Sequence, residues 1–411
     1  MKHNAGKWSC NAGKWSCRLP IAMLLACLFF SGNGMAATPV TIPATQTTIQ
    51  STAERMISYR HQNHMWQTAD GATHVMVNRG YQSPGNSLQI YSSFDGATGW
   101  TGGTKLSNSD RYSTSDGYLV GDILYVTYST PSGGVVFTAL QYDAGTAAWS
   151  QVWSETAFSS PGMVAINPAM AADATGTVWL AFVANEIATG NYSIKLLRNT
   201  SQLEGWVDTG LVFGDVDNLS IERSARPVPT ASGMGLVYSV HEKILWASRD
   251  NASPLDQPWT NQVLFVSQAG DTDPYASHFS VATDAQNNIH MAFVDGGRLG
   301  YFRFRSATQA WRSTWLSKDI QAGYVQTTVA AGNVVIAVNV NTQLIGVYQS
   351  LDGGTNFSYS QRLVHPSPTA GVSYKNPRME TPSNTTGSVP LLQQYVDNGV
   401  QRLLFYDIPA L

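Results

Sequence analysis

The sequence predicts an all-β protein, a seven-bladed β-propeller of four-stranded antiparallel blades. Three observations support this fold class. Aromatic residues close polar turns at intervals of about fifty residues, and these are Trp100, Trp149, Trp206, Trp259, Trp311 and Phe357. Short strands of alternating polarity, separated by Gly, Asn and Asp turns, fill each interval. The chain also lacks any long stretch with the 3.6-residue period of an amphipathic helix.

Six repeat units follow one another from the region of His64. The segment 376–407 that follows them has room for about three further strands. The alternating segment 40–51 is predicted to supply the strand that the last unit lacks. Both chain ends would then close the ring and remove the exposed sheet edges. A six-bladed ring, with the chain ends as extra strands, is the alternative.

The clearest internal repeat relates residues 171–183 to residues 282–294, where six of the thirteen aligned residues are identical. Each copy reads as the end of one strand, a turn opened by an Asp, and a second apolar strand. The offset of 111 residues corresponds to two blades.

The N-terminus predicts a signal peptide over residues 1–37. A basic n-region precedes an apolar run at 21–30, and small residues lead to a cleavage site near Ala37. The run is too short to span a bilayer, so we expect a secreted protein, periplasmic or extracellular. A lipid anchor on Cys27 is the alternative. The mature domain, 38–411, contains no cysteine, which excludes disulfides and cysteine–zinc sites there.

Composition excludes further classes of protein. With 43% hydrophobic and 12% charged residues, the 411-residue chain is neither disordered nor a coiled coil. Its net charge is −3, and no basic stripe is visible, so we expect no nucleic-acid partner. We also expect no membrane span, no cofactor and a monomer. A metal site through His61 and His64 lacks a third ligand nearby, so no metal is expected.

Two turns carry a recurring pattern of Ser, an Asp two residues later, and an aromatic residue seven residues after the Ser. Residues 350–357 are the closer copy and residues 93–100 the looser one. The carboxylate can accept hydrogen bonds from its own turn while the ring packs between sheets, so we assign these turns a structural role. They resemble the Asp-box of secreted, glycan-related propellers such as sialidases.

Polar residues gather where the innermost strand of each blade begins, at one mouth of the central channel. His64 and His278 occupy equivalent positions four blades apart, so they are expected to face one another. His and Tyr can transfer protons, and Arg can hold a carboxylate. The predicted catalytic residues are His64, His278, Tyr275, Tyr112 and Arg226. The predicted substrate-binding residues are His61, Asn63, Arg111, Asn167, Arg223, Tyr324, Asn376 and Arg378.

A simpler interpretation of the same polar residues is structural: they bind water and connect neighbouring blades. His74 and His290, on second strands, are expected to be buried and hydrogen bonded.

The stretch from Ser277 and His278 through Asp284 to His290 resembles the repeat of BNR-type secreted propellers, which include seven-bladed polysaccharide lyases. The resemblance implies a glycan ligand and cleavage of a uronate-containing polysaccharide by β-elimination. An Arg, here Arg226, would neutralise the carboxylate while His and Tyr move protons. The step from His278 to Asp284 is two residues shorter than in that family.

Two other functions stay open. A non-catalytic propeller would bind sugar or protein at the same mouth, with Trp66, Trp153, Trp246 and Trp315 as candidate stacking faces. A sialidase-like glycoside hydrolase would use Arg226, Arg378 and Glu380. The Arg-Ile-Pro opening of sialidases is replaced here by residues 60–62, Arg-His-Gln.

Overall fold

The computed structural model describes residues 39–57, 59–201, 204–219, 223–254, 257–267, 279–320, 323–374 and 378–409. The predicted signal peptide, 1–37, and the three cysteines lie outside the described residues. Within the described ranges, no helix is long and apolar enough to cross a membrane.

Seven antiparallel sheets form a ring of blades, as the repeat predicts. Blade one is β3–β6 (Met65–Gln67, Thr73–Asn78, Leu88–Ser93, Thr101–Lys105). Blade two is β7–β10 (Ser115–Val120, Ile123–Ser129, Val135–Asp143, Ala148–Phe158). Blade three is β11–β14 (Met163–Ala172, Val178–Glu186, Tyr192–Ser201, Glu204–Asp217). Blade four is β15–β18 (Arg223–Pro229, Gly233–Val240, Lys243–Asp250, Thr260–Val266).

The second half of the ring repeats this plan. Blade five is β19–β22 (Phe279–Thr283, Ile289–Asp295, Arg298–Arg305, Ala310–Ser317). Blade six is β23–β26 (Val325–Ala330, Asn333–Asn341, Leu344–Ser350, Ser358–Val364). Blade seven contains β27 (Val372–Ser373), β28 (Met379–Glu380), β30 (Val389–Asp397) and β31 (Val400–Ile408). A short strand, β29 (Asn384–Thr385), pairs with β23, and a 3-10 turn spans Gly80–Gln82.

Two N-terminal strands complete the last two blades. β2 (Thr45–Ser51) pairs antiparallel with β31 and is the outer strand of blade seven. β1 (Val40–Pro43) pairs in parallel with β26 and adds a fifth strand to blade six. The prediction that an N-terminal strand closes the ring is therefore confirmed for residues 45–51, whereas residues 40–43 join blade six instead, and the six-bladed alternative is wrong.

The core consists of apolar layers between neighbouring blades. Trp179, Phe213 and Trp259 pack together where blades three and four meet, and the two indole rings meet edge to face at 5.5 Å. Second strands such as β12 and β20 read as near-continuous apolar runs because a blade lies against each of their faces. The aromatic residue that recurs in the sequence repeat is thus an interblade packing residue.

This packing also determines how far the four tryptophans that are candidate sugar-stacking faces are exposed to solvent. Trp66 and Trp246 are each 4% exposed, so neither offers a ring to a ligand. Trp153 is half-buried. Trp315 is 40% exposed, and the guanidinium of Arg298 lies 3.8 Å from its ring centre.

The turns 93–100 and 350–357 have the internal hydrogen bonds that their sequences predict. Oδ1 of Asp95 accepts from its turn serine at 2.8 Å and from three backbone N–H groups at 2.9–3.0 Å. Oδ1 of Asp352 accepts from its serine at 2.8 Å and from two backbone N–H groups at 2.9 and 2.8 Å. Trp100 is buried, and Phe357 packs edge-on against Tyr301 at 4.7 Å. Both turns therefore stabilise blades.

A shared turn explains the internal match between residues 171–183 and 282–294. In each copy Oδ1 of the Asp accepts from backbone N–H groups two and four residues later, at 2.9 and 3.1 Å for Asp173 and at 2.9 and 2.8 Å for Asp284. The other oxygen contacts a ring nitrogen on the next strand, of Trp179 at 3.0 Å and of His290 at 3.2 Å. His290 and His74 are both buried, as expected.

The turn of Asp284 gives a pH-dependent prediction. Burial opposes ionisation, but hydrogen bonds from His290 and Asn288 outweigh it and lower the pKa of Asp284 to about 2, from an ordinary value of 3.8. A lowered folded-state pKa stabilises the protein above the ordinary pKa, and this stabilisation disappears as the pH falls toward the folded-state value. Asp284→Asn should therefore cost about 1 kcal/mol at neutral pH, after allowance for solvent screening.

The measurement is the free energy of urea unfolding of the two proteins between neutral pH and about pH 2, the lower end being the folded-state pKa. The difference between them should shrink as the pH falls. Asp319→Asn, at an exposed position, is the control and should show no such trend. A difference that is equal at every pH would contradict the assignment.

Candidate functional site at the propeller axis

Residues 59–64 cross the axis of the ring at the end where the innermost strands begin. The backbone N–H of Asn63 donates to Oδ1 of Asp116 in blade two at 2.6 Å. The side-chain amide of Gln62 donates to the carbonyl of Pro168 in blade three at 2.7 Å. Gln62 is fully buried. The segment thus occupies the position where the sequence predicts an open channel mouth.

The same segment contacts blades four, five and six. Nη1 of Arg226 donates to the carbonyl of His61 at 2.9 Å. The His61 ring lies 5.8 Å from the ring of Phe279, the first residue of β19. The guanidinium of Arg60 stacks on the ring of Tyr324 at 4.0 Å. We call residues 59–64 the axial segment.

Blade seven meets the axial segment through a buried acid and a histidine. Nδ1 of His64 lies 2.9 Å from Oε2 of Glu380, and each side chain is 1% exposed. Burial raises the pKa of Glu380, while the neighbouring His64 opposes that shift. The two groups form a hydrogen-bonded pair that is sealed from solvent.

His61 is equally buried and is held uncharged. Burial, and after it the charges of Arg226 and His64, lower the pKa of His61 to about 3. Neither ring nitrogen of His61 has a hydrogen-bond partner among the described residues. The imidazole is therefore neutral at any physiological pH, and at 1% exposure it does not reach a ligand from solvent.

A buried ion pair lies beneath the axial segment. Nη1 of Arg226 is 2.5 Å from Oδ1 of Asp116, and the two side chains are 7% and 0% exposed. Oδ2 of Asp116 accepts from the backbone N–H of Met170 in blade three at 2.8 Å. Arg226, the predicted carboxylate clamp, already holds a carboxylate of the protein itself.

The accessible part of this end of the axis is a cluster of arginine and tyrosine. The ring of Tyr59 is half-buried, and the guanidinium groups of Arg55 and Arg378 lie 4.9 and 5.9 Å from its centre. Nη1 of Arg55 also donates to the Tyr59 hydroxyl. Arg55 is exposed and Arg378 half-buried, so both can meet a ligand. We call Arg55, Tyr59 and Arg378 the axial arginine cluster.

Sequence reasoning identified Arg378 but missed Arg55 and Tyr59. The spacing of Arg55, Tyr59 and Arg60 immediately before the first blade was the available signal. Burial raises the pKa of Tyr324, beneath Arg60, so this predicted binding residue is a protonated phenol.

Arg111 and Tyr112 do not join the axis in the part of the chain that the structure describes. The guanidinium of Arg111 lies 4.3 Å from the ring centres of both Tyr81 and Tyr112, and Tyr112 is 69% exposed. The backbone N–H of Tyr112 donates to Oδ1 of Asp110, which forms a local turn before β7. These side chains form a separate surface cluster.

The remaining predicted residues have structural partners or lie outside the described residues. Nη2 of Arg223 pairs with Oδ1 of Asp217 at 2.6 Å. Asn167 has a φ of 53°, and its N–H donates to Oγ1 of Thr114 at 3.0 Å, which ties blade three to blade two. The residues outside the described ranges are Tyr275, His278 and Asn376.

A second opening lies at the other end of the axis. A cavity of about 220 Å³ is lined by the innermost strands of blades two to five and by the turn after β19. Of the predicted site residues, Asn63 and Arg226 line it. In the described ranges, no group of three or more His, Asp or Glu side chains is arranged to hold a metal ion.

Fold and axis together define a seven-bladed β-propeller whose channel is filled at one end by its own chain. No family model and no curated protein matches the sequence. A polysaccharide lyase, an ulvan lyase bound to -[GlcA(1-4)Rha3S]-, is similar in structure, with a TM-score of 0.50 and 12% identity over 86% of this chain and 96% of the lyase.

Two further solved structures match more weakly. A Trypanosoma rangeli sialidase in complex with the inhibitor DANA has a TM-score of 0.49 and 10% identity over 85% of this chain. This chain spans about half, 55%, of that sialidase. The SapL1 lectin in complex with alpha methyl fucoside has a TM-score of 0.48 and 11% identity, covering 76% of this chain and 99% of the lectin. At such identities, similarity shows a shared fold.

Proposed function

We propose that this protein is a secreted, glycan-acting propeller that binds an acidic polysaccharide at the axial arginine cluster. The observation that carries the proposal is the pair of guanidinium groups, Arg55 and Arg378, beside the half-buried Tyr59 ring. Guanidinium groups bind carboxylate or sulfate, and a tyrosine ring packs against the apolar face of a sugar.

The enzymatic form of the proposal is a lyase that cleaves beside a uronate by β-elimination. An Arg neutralises the carboxylate, a base removes the adjacent C–H proton, and an acid protonates the leaving oxygen. Arg378 and Tyr59 lie on the accessible side and are our candidates for these roles. His61 and His64 are 1% exposed, so we assign them to positioning the axial segment. His278 and Tyr275 stay candidates for proton transfer.

Burial of the two histidines favours a second candidate function, a non-catalytic propeller that binds the same glycan. The sialidase alternative has less support, because Asp116 neutralises Arg226 and Glu380 is 1% exposed.

The test is binding and turnover on a panel of uronate-containing polysaccharides, with absorbance of the unsaturated product as the activity signal. Arg378→Ala should weaken binding at least tenfold, because a charge-assisted hydrogen bond is worth about 1.5–3 kcal/mol. Arg362→Ala is the matched control, since Arg362 stacks on Tyr359 at the same 5.9 Å but on the outer strand β26. It should bind normally.

Tyr59→Phe separates the two candidate functions. The variant keeps the ring and loses the hydroxyl, so a lyase should keep most of its binding and lose turnover. Binding without any absorbance change in the unmodified protein would establish the non-catalytic form. Failure to bind every acidic polysaccharide, or equal loss of binding in Arg378→Ala and Arg362→Ala, would overturn the proposal.

A further inference from the structure

The axial cavity of about 220 Å³ is a blind pocket on the face opposite to the axial arginine cluster. Its inner end reaches Asn63, in the axial segment, and Arg226, whose Nη1 donates to the carbonyl of His61. Its outer rim includes Asp284 and Asn287, in the turn that follows β19. The axial segment closes the inner end, so a ligand enters from the rim.

The inner end of the pocket offers hydrogen-bond donors without net positive charge. Within the described part of the chain, Arg226 is hydrogen bonded through Nη1, and its Nε and Nη2 N–H groups are left to donate to a ligand. The charge of Arg226 is balanced by Asp116 at 2.5 Å. Asp284 adds an ionised carboxylate at the rim. The pocket as a whole therefore disfavours anions.

The walls combine apolar residues with residues that carry hydroxyl groups. The pocket is lined by Val228, Val281 and two prolines of β15. It is also lined by three residues that carry hydroxyl groups, Tyr118, Thr283 and Ser383. A pyranose ring has this complementary character, with an apolar face of C–H groups and an edge of hydroxyls. The closed inner end limits the occupant to a single small unit.

We propose that this pocket binds one neutral monosaccharide, independently of the acidic-glycan site on the other face. Tyr118 and Arg226 hydrogen bond its hydroxyls, and the apolar wall packs against its ring. Small polar pockets with convergent donors and apolar walls are the usual form of such sites.

The test is binding of glucose, galactose, mannose, fucose and rhamnose to the whole protein by saturation-transfer NMR and calorimetry. At least one should bind saturably, and glucuronate should bind less tightly than glucose. Tyr118→Phe should weaken binding about tenfold through loss of one hydrogen bond. Thr283→Trp should abolish it by filling the pocket.

Two control variants separate this site from a folding defect and from the proposed function. Tyr125→Phe alters the cross-strand partner of Tyr118, which is not part of the pocket, and should bind normally. Arg378→Ala should also bind the monosaccharide normally while losing the acidic polysaccharide. Absence of saturable binding for all five sugars, or equal affinity in Tyr118→Phe, Thr283→Trp and the unmodified protein, would overturn the proposal.

Discussion

Asp116→Ala is expected to lower the free energy of unfolding by about 3–5 kcal/mol, as is typical when one partner of a buried ion pair is removed. Asp116 is fully buried and accepts hydrogen bonds from Arg226 and from the backbone N–H groups of Asn63 and Met170. Its removal leaves the Arg226 charge and both N–H groups without an acceptor. Blades three and four and the axial segment lose a common partner in blade two at once.

Urea unfolding of the purified protein measures this effect. Asp122→Ala, in the exposed turn after β7, should change stability by less than about 0.5 kcal/mol. Adding Arg226→Met to Asp116→Ala should restore part of the loss, because the uncompensated buried charge is then removed as well. A loss at Asp116 no larger than that at Asp122 would show that the ion pair does not stabilise the ring.

Deletion of residues 45–51 is expected to abolish the cooperative thermal transition of the ring. These residues form β2, and without them the edge of β31 is exposed and Ile49, 2% exposed in the core between blades seven and one, is lost. An open edge of this kind favours aggregation. Circular dichroism melting and size-exclusion chromatography of the variant provide the measurement.

Two comparisons make this prediction specific to ring closure. Deletion of residues 40–43, which removes β1 from an already complete blade six, should have a much smaller effect on the melting temperature. Ile49→Ala should cost about 2–4 kcal/mol through the cavity it leaves, while Thr45→Ala, at an exposed position of the same strand, should be nearly neutral. Equal melting temperatures for the two deletions would mean that β2 does not close the ring.

The blade architecture was predictable because its signals are local and repeated. The turn of Asp284 contains its carboxylate acceptor, a turn residue with positive φ and the following apolar strand within about a dozen residues. The turn of Asp173 repeats this arrangement. The closing strand was predictable from its alternation and from the missing strand of the last unit. The parallel pairing of β1 with blade six was not, because four residues carry no pattern that selects a partner.

The arrangement of side chains at the axis was less predictable from the sequence than the blades. The strand-start rule placed His61, Asn63 and His64 at the axis, where the structure also has them. It did not foresee that the axial segment fills the mouth, because this burial arises from six other blades that meet there. Tyr112 lies away from the axis because a turn at Asp110 directs it outward. Asp116 is a single acid in an otherwise ordinary strand, and nothing in its neighbourhood marks it as an axial partner.

The axial segment also has a consequence for the folding of the chain. Its hydrogen bonds to blades two, three, four and seven reach partners between 53 and 320 residues further along the chain. Such long-range contacts slow folding, because the entropy of closing large loops is lost before the contacts form. We therefore expect the axis to be completed only after the last blade has formed, and its amide protons to exchange through opening of the whole ring. We expect the molecule to fold and unfold as one cooperative unit, although its sequence is modular.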